Sequence, residues 1–154
     1  MAITLAKGSP VVLAKQDAIT QIVAGLSWDA RRTDGDKFDA DVSAFLLGED
    51  GNVIGGKLES VVFYNNLRSE DGAIVHSGDN RTGDGDGDDE TISVDLSKVP
   101  QEVAKIVFAV TIHEGQQNSQ NFGMVDKAYI RVINQDANAE ELARFDLSED
   151  GSTE

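Results

Sequence analysis

The sequence contains no cysteine, which excludes disulfide bonds, thiolate metal sites and cysteine nucleophiles. It has only one tryptophan and two prolines. No apolar run approaches the length of about 20 residues that is needed to cross a bilayer. The first residues lack a basic stretch followed by a long apolar segment, so we expect no secretory signal, a cytoplasmic location and no direct membrane insertion.

Basic residues are scarce. The 13 Lys and Arg residues are outnumbered by 28 Asp and Glu residues, and the formal net charge is −15. Such a surface repels nucleic acid phosphate and anionic lipid, so we expect no nucleic acid partner. It attracts cations and basic partners. Because an acid excess can also serve solubility alone, the distribution of the acids along the chain decides what they do.

Short apolar and alternating segments are spaced along most of the 154 residues. They predict an all-β fold, a two-sheet β-sandwich with one or two short helices and long acidic loops. We expect a single domain over residues 1–147 and a flexible C-terminal tail over residues 148–154. The predicted strands are Gln21–Trp28, Asp41–Leu47, Ser60–Tyr64, Ala73–His76, Thr91–Leu96, Lys105–Ile112, Ala128–Ile133 and Glu141–Leu147, with a short apolar run at Val11–Leu13.

Two of these segments carry more specific predictions. Asp95–Ala104 is typical of one or two helical turns, with Ser97 as the cap and Pro100 in the first turn. Lys105–Ile112 is apolar on both faces, which predicts a central strand that is covered on two sides.

The segment Asp79–Glu90 holds six carboxylates within twelve residues, and only Arg81 opposes them. Glycines directly before and within this segment interrupt any regular element: Gly78, Gly83, Gly85 and Gly87. Crowded carboxylates repel one another, whereas Ca²⁺ takes about 6–8 oxygen ligands from carboxylates, amides and backbone carbonyls. The segment therefore predicts a Ca²⁺-binding loop.

A disordered acidic linker and an EF-hand are the two alternatives for this segment. A linker is disfavoured because the segment lies between strand signals in mid-chain and runs directly into an alternating strand. Asp84, Asp86 and Asp88 match the first EF-hand ligand positions, and Asp95 falls at the last one. However, Asp89 occupies the position of the invariant glycine, and no helix precedes the loop.

A second acidic group follows the predicted strand that ends at Trp28-Asp29. Asp39 and Asp41 are two residues apart, so on an extended chain they face the same way and could give two oxygens to one ion. A solvated loop explains this group equally well. Asn65-Asn66, at a predicted strand end, is a third candidate with neutral oxygens.

Together these segments resemble the TerD family of tellurite-resistance and stress-response proteins. The resemblance covers most of the chain and depends on the order and spacing of its motifs. The matching segments are Gly25–Asp29, Phe38–Asp41, Val62–Asn66, Ser69–Gly72, His76–Glu90, Ile92–Leu96, Pro100, Asn121–Gly123 and Ala143–Leu147. Ala40 departs from the leucine that the family has more often between the two aspartates, which leaves the ligands unaffected.

The resemblance implies a β-sandwich that binds two Ca²⁺ ions. It implies a bacterial cytoplasmic protein that associates with related stress-response proteins at the inner face of the membrane. The implied metal ligands are Asp29, Asp39, Asp41, Asn65, Asp79, Asn80, Thr82, Gly83, Asp84, Asp86, Asp88, Asp89 and Glu90.

Two function classes follow. The first is a non-enzymatic binding or scaffolding module, in which Ca²⁺ neutralises the clustered carboxylates and shapes an interaction surface. The alternative is a divalent-metal-dependent enzyme acting on phosphate esters. The sequence favours the first class because it offers no Gly-x-Ser-x-Gly motif and no lysine in the glycine-rich loop. We therefore expect no catalytic residues.

Overall fold

The computed structural model describes residues 3–4, 8, 10, 19–29, 38–56, 58–81, 83, 87–125, 127–136 and 138–147. Strands dominate these residues, and the helical segments among them are single 3-10 turns at Ile54–Gly56, Leu58–Ser60 and Phe122–Met124. The described strands are β1 Ile3–Thr4, β2 Gln21–Ser27, β3 Ala40–Leu47, β4 Val61–Val62, β5 Ile74–His76, β6 Glu90–Asp95, β7 Lys105–Ile112, β8 Tyr129–Asn134 and β9 Glu140–Asp146. No helix among these residues is long and apolar enough to cross a membrane.

The strands form two sheets, which confirms the predicted all-β sandwich. The larger sheet has the order β1-β9-β8-β2-β6-β5, and the smaller one has the order β4-β3-β7. The β1–β9 pair is parallel, and the other pairs are antiparallel. Alternation within the strands places one face of each sheet in a shared core. Residues such as Leu26, Val42, Ile92 and Val94 have no exposed surface there.

The pairing register brings several strand ends together at one end of the sandwich. In the larger sheet Leu26, near the end of β2, pairs with Glu90 at the start of β6, and β5 ends beside them at His76. In the smaller sheet β3 begins at Ala40, opposite the end of β7 at Ile112. The acidic segments follow or precede these strand ends, so they lie at the same end of the molecule.

The predicted central position of Lys105–Ile112 is wrong. Among the described strands β7 lies at an edge of the smaller sheet, next to β3 alone. Val107 is 39% exposed, whereas Val110 is buried. An edge strand needs only one face in the core, so the second apolar face of this segment lies on the surface.

The helical prediction for Asp95–Ala104 is also wrong. The residues after β6 form two separate turns, closed by hydrogen bonds from Lys98 N to Asp95 O and from Val103 N to Pro100 O. The Asp95 carboxylate accepts hydrogen bonds from Ser97, and this local bonding competes with helix formation. The predicted run at Val11–Leu13 and the predicted tail at residues 148–154 lie outside the described residues.

Candidate metal centre

Three aspartates from two separate parts of the chain meet at the loop end of the sandwich. Asp39 and Asp41 come from the start of β3, and Asp79 comes from the segment after β5. One carboxylate oxygen from each of the three lies within 4.8 Å of the others. Two oxygens on opposite sides of one Ca²⁺ would be separated by about 4.6–5.2 Å, twice the usual Ca–O distance. The spacing therefore suits ligands of a shared ion.

Asp41 lies deepest in this cluster and is only 5% exposed. Burial, followed by the charges of Glu90, Asp39 and Asp79, raises the pKa of Asp41 to about 7. Removal from water disfavours the carboxylate, and the neighbouring carboxylates disfavour it further. A divalent cation would reverse both effects, because its positive charge attracts the carboxylates and its coordination takes the place of their lost hydration.

Asp39 has one oxygen that is available to a cation. Its Oδ1 atom is buried and has no hydrogen-bond partner among the described residues. Its Oδ2 atom lies 3.7 Å from Nε of Arg81, an exposed side chain. Burial and the charge of Asp79 raise the pKa of Asp39. A buried carboxylate oxygen without a partner is costly, and hard oxygen donors in this arrangement fit Ca²⁺.

Glu90 has a different environment, although the resemblance implies it as a ligand. Its side chain has no exposed surface. Its Oε2 atom accepts a hydrogen bond from Val42 N at 3.1 Å, and its Oε1 atom accepts one from Asn80 N at 3.0 Å. Both oxygens therefore accept hydrogen bonds from backbone amides, one on β3 and one in the segment Asp79–Glu90, called the acidic loop below.

His76, at the end of β5, contacts Glu90 from a third side. Its Nδ1 atom accepts a hydrogen bond from Gly78 N at 2.9 Å, so a neutral ring carries its proton on Nε2. Nε2 lies 3.3 Å from Glu90 Oε2, although this contact lacks the geometry of a hydrogen bond. Both nitrogens of this buried imidazole thus face protein groups.

The first turn of the acidic loop is fixed by local bonding and by packing on Trp28. Asn80 Oδ1 accepts a hydrogen bond from Gly83 N, and Asn80 Nδ2 lies 3.5 Å from Asp89 Oδ1. Gly83 has φ +71° and is buried against the Trp28 indole, which leaves no space for a Cβ atom. The indole Nε1–H donates to Phe38 O at 3.2 Å. Trp28 therefore joins the loop to the segment that carries Asp39.

Asp89 forms hydrogen bonds with the backbone at the end of β2. Its amide donates to Leu26 O, and its Oδ2 atom accepts a hydrogen bond from Trp28 N at 2.9 Å. Burial raises the pKa of Asp89, while the bond from Trp28 opposes this rise. The carboxylate thus has a backbone partner of its own.

Asp88 forms an ion pair with Arg131 on β8, at 3.0 Å between Asp88 Oδ2 and Arg131 Nη2. Nε of the same guanidinium lies 3.1 Å from Oδ1, so the pair is bidentate. The Asp88 carboxylate fills the space above Gly25, where a Cβ atom would overlap it. Asp88 is therefore joined to the sheet, and no contact among the described residues links it to the three-aspartate cluster.

The remaining predicted ligands are dispersed. Asp29 lies 3.5 Å from Nζ of Lys127, on the surface. Asn65 is exposed in a turn closed by hydrogen bonds between Phe63 and Asn66, and β4 enters that turn heading toward the end of the smaller sheet where β3 begins. Three further predicted ligands lie outside the described residues: Thr82, Asp84 and Asp86.

Sequence reasoning missed the roles of Arg131 and Gly25 and the packing of Gly83 on Trp28. A glycine inside a strand pattern often marks a close approach by another group, and Gly25 within β2 carried that signal. Nothing in the local sequence of Arg131 points to Asp88, because 43 residues separate the two.

A family model described as "TerD domain" matches residues 1–154. The chain belongs to the TerD family. It is 52% identical to the tellurium resistance protein TerD of Serratia marcescens over 155 aligned positions, which cover 100% of this chain and 79% of that protein. It is 47% identical to general stress protein 16U of Bacillus subtilis over 156 positions, with coverage of 100% and 79%.

A solved structure supports the TerD fold. The crystal structure of a homologue of the telluride resistance protein TerD from Streptomyces coelicolor matches with a TM-score of 0.68 and 25% identity, over 82% of this chain and 70% of that chain. The family resemblance found in the sequence motifs is thus confirmed. The relatives are named for tellurium resistance and for stress response.

Proposed function

We propose that this TerD-family chain is a non-enzymatic Ca²⁺-binding module that acts as a binding or scaffolding protein in the bacterial response to tellurite and other chemical stress. The observation that carries the metal site is the convergence of Asp39, Asp41 and Asp79, with one oxygen from each within 4.8 Å of the others. The stress-response role rests on the names of the relatives.

The electrostatics of the cluster support a divalent ion as its partner. Three carboxylates can supply up to six oxygens, close to the about 6–8 that Ca²⁺ prefers. The pKa of Asp41 is raised to about 7, so without a cation the site retains a proton near neutral pH. Bound Ca²⁺ would replace that proton, hold the loop segment carrying Asp79 against β3, and thereby order one end of the sandwich for a partner.

The non-enzymatic assignment is supported by the surroundings of the histidines. Both ring nitrogens of His76 face protein groups, and His113 pairs with Glu114 on the surface at 3.9 Å. Within the described part of the chain, Arg81 forms an ion pair with the cluster through Asp39, and its side chain is 72% exposed, a poor arrangement for holding a phosphate group. The alternative of a phosphate-ester hydrolase is tested with phosphomonoester and phosphodiester substrates in Mg²⁺ or Mn²⁺, where sustained turnover would favour it.

Partners and location are part of the proposal. We propose that the protein works in the cytoplasm with related stress-response proteins at the inner face of the membrane, an expectation that comes from the family. The metal-ordered loop end, where strand ends of both sheets meet, is the surface that we assign to such contacts.

Calorimetric titration of chelator-treated protein tests the metal site. We expect wild-type protein to bind Ca²⁺ with micromolar or tighter affinity, and the stoichiometry tests the two ions implied by the resemblance. Asp41→Asn should weaken binding at least tenfold, because it removes one charge from the buried ligand. Glu49→Gln is the control, since Glu49 is exposed at the opposite end of β3. A flat wild-type titration, or equal affinity in the two variants, would refute the site.

A further inference from the structure

Glu90 forms hydrogen bonds next to two of the cluster aspartates. Its Oε2 atom accepts from the amide of Val42, the residue after Asp41. Its Oε1 atom accepts from the amide of Asn80, the residue after Asp79. One carboxylate therefore fixes the backbone of β3 and of the acidic loop at the points from which two of the three clustered carboxylates arise.

Glu90 differs from the three clustered aspartates in its burial and in its hydrogen bonds. Asp79 is exposed and Asp39 is partly exposed, whereas the Glu90 side chain has no exposed surface. Asp39 has a buried oxygen without a partner among the described residues, while both Glu90 oxygens accept backbone hydrogen bonds. A carboxylate of this kind costs much less to bury because amide donors satisfy it.

His76 completes the arrangement. The Gly78 amide fixes the ring through Nδ1, and the opposite edge of the ring faces Glu90 Oε2 at 3.3 Å. The imidazole thus packs against Oε2 without a hydrogen bond, and neither side chain has exposed surface. A metal ion that used Glu90 as a ligand would have to compete with groups on three sides.

We infer that Glu90 is a positioning residue for the metal site and not one of its ligands: its carboxylate holds Asp41 and Asp79 at the separation that one ion requires, through the amides that follow them. This inference rests on the proposed function and replaces the ligand role that the family resemblance implies for Glu90. Groups that orient metal ligands commonly affect affinity by about 10–100-fold.

The first test compares Glu90→Gln with a destabilised control. In the variant one amide oxygen can still accept, but the NH₂ group would face a backbone N–H, so one of the two bonds is lost. We expect Ca²⁺ affinity to fall by about tenfold or more. Val94→Ala, at a buried position on the same face of β6, should lower stability and leave Ca²⁺ affinity within about twofold. Unchanged affinity in Glu90→Gln, or an equal loss in both variants, would overturn the inference.

The second test separates positioning from ligation by counting waters on a bound ion. Tb³⁺ replaces Ca²⁺, and its luminescence lifetimes in H₂O and D₂O report how many waters it holds. At saturation Glu90→Ala should hold as many waters as the wild type, while Asp41→Ala should hold at least one more, because water replaces the lost carboxylate oxygen. An extra water in Glu90→Ala would identify Glu90 as a ligand and overturn the inference.

Wild-type protein provides a third test that needs no folded variant. Scalar couplings across hydrogen bonds, from the amide nitrogens of Val42 and Asn80 to the Glu90 carboxyl carbon, should persist after Ca²⁺ saturation. Loss of either coupling on Ca²⁺ binding would contradict the positioning role. If the wild type binds Ca²⁺ but Glu90 fails these tests, only this inference fails. A wild type that binds no Ca²⁺ overturns both this inference and the proposed function.

Discussion

Among the described residues, Asp41 is one at which burial and charge conflict. It is 5% exposed, and burial together with three neighbouring carboxylates raises its pKa. An isolated domain gains nothing from this arrangement, because an ionised group in such a place opposes folding. A cation bound to the Asp41 carboxylate would offset this cost.

The stability of the metal-free protein should therefore depend on pH. The folded pKa of Asp41 is about 7, against an ordinary value of 3.8, so between these values the folded state holds a proton that the unfolded state has lost. The contribution of Asp41 to stability is then fully present below a pH of about 4 and is lost as pH rises to about 7. The raised pKa values of Asp39 and Asp89 act in the same direction.

Denaturant unfolding of chelator-treated protein at pH values from about 4.5 to about 7.5 measures this dependence, because most of this range lies between the ordinary and the raised pKa of Asp41. Asp41→Asn should flatten the slope, because the amide does not titrate, whereas Glu49→Gln should retain it. A free energy of unfolding that rises through this range would contradict the description of the cluster.

Gly25 is a second informative residue, since a Cβ atom there would overlap the Asp88 carboxylate. We expect Gly25→Ala to cost about 1–3 kcal/mol in unfolding free energy, the usual cost of overpacking. Asp88→Ala removes the collision, so Gly25→Ala should cost less in that background. A double-mutant cycle measures the difference, and equal costs in both backgrounds would show that the contact is not formed.

At the scale of elements, the sequence predicted most of the strands because alternation and β-branched residues are local signals. Gln21–Ser27 and Glu90–Asp95 fall close to their predicted bounds. The positions of strands within sheets are not local: Lys105–Ile112 has the composition of a central strand yet lies at an edge among the described strands. The turns after β6 depend on the Asp95 carboxylate, which helix periodicity does not reveal.

The edge position of β7 predicts an asymmetry between its two faces. Val107→Thr should change the unfolding free energy by less than about 0.5 kcal/mol, because the side chain is on the surface. Val110→Thr should cost about 1–3 kcal/mol, because it buries a hydroxyl group. Thermal or denaturant unfolding of the two variants compares them, and equal losses would place both residues in the core.

The acidic loop packs on Trp28 at Gly83, so alanine substitutions at Gly83 and Gly78 should affect Trp28 differently. Gly78 and Gly83 both have positive φ, at +110° and +71°, but only Gly83 lacks space for a Cβ atom. Gly83→Ala should change the Trp28 emission spectrum of the metal-free protein and weaken Ca²⁺ binding. Gly78→Ala shares the backbone strain and should leave the emission unchanged. Identical spectra for the two variants would contradict the packing.

At the scale of the whole molecule, the chain carries a net charge of −15, and the strand ends of both sheets that border the acidic segments meet at one end of the sandwich. The sequence revealed the charge, the loop and the family, since these depend on composition and motif spacing. It did not reveal which acids converge. The structure brings Asp39, Asp41 and Asp79 together and gives Asp88 a bidentate partner 43 residues away. The first contact depends on how the two sheets stack, and the second depends on the strand order within the larger sheet.

A bound ion should stabilise the whole domain. If Ca²⁺ binds only the folded state, a free concentration one hundred times the Kd adds about 2.7 kcal/mol to the free energy of unfolding. Scanning calorimetry with and without Ca²⁺ measures the gain, and Asp41→Asn should lose about half of it or more at the same concentration. An unchanged melting temperature at saturating Ca²⁺ would indicate that the folded state does not bind the ion.

Anomalous diffraction from crystals grown with Ca²⁺ tests the proposed metal site most directly. We predict an anomalous peak at about 2.3–2.6 Å from oxygens of Asp39, Asp41 and Asp79, with Glu90 still bound to the amides of Val42 and Asn80. Anomalous density that avoids these three aspartates at saturating Ca²⁺ would contradict a shared ion at this cluster.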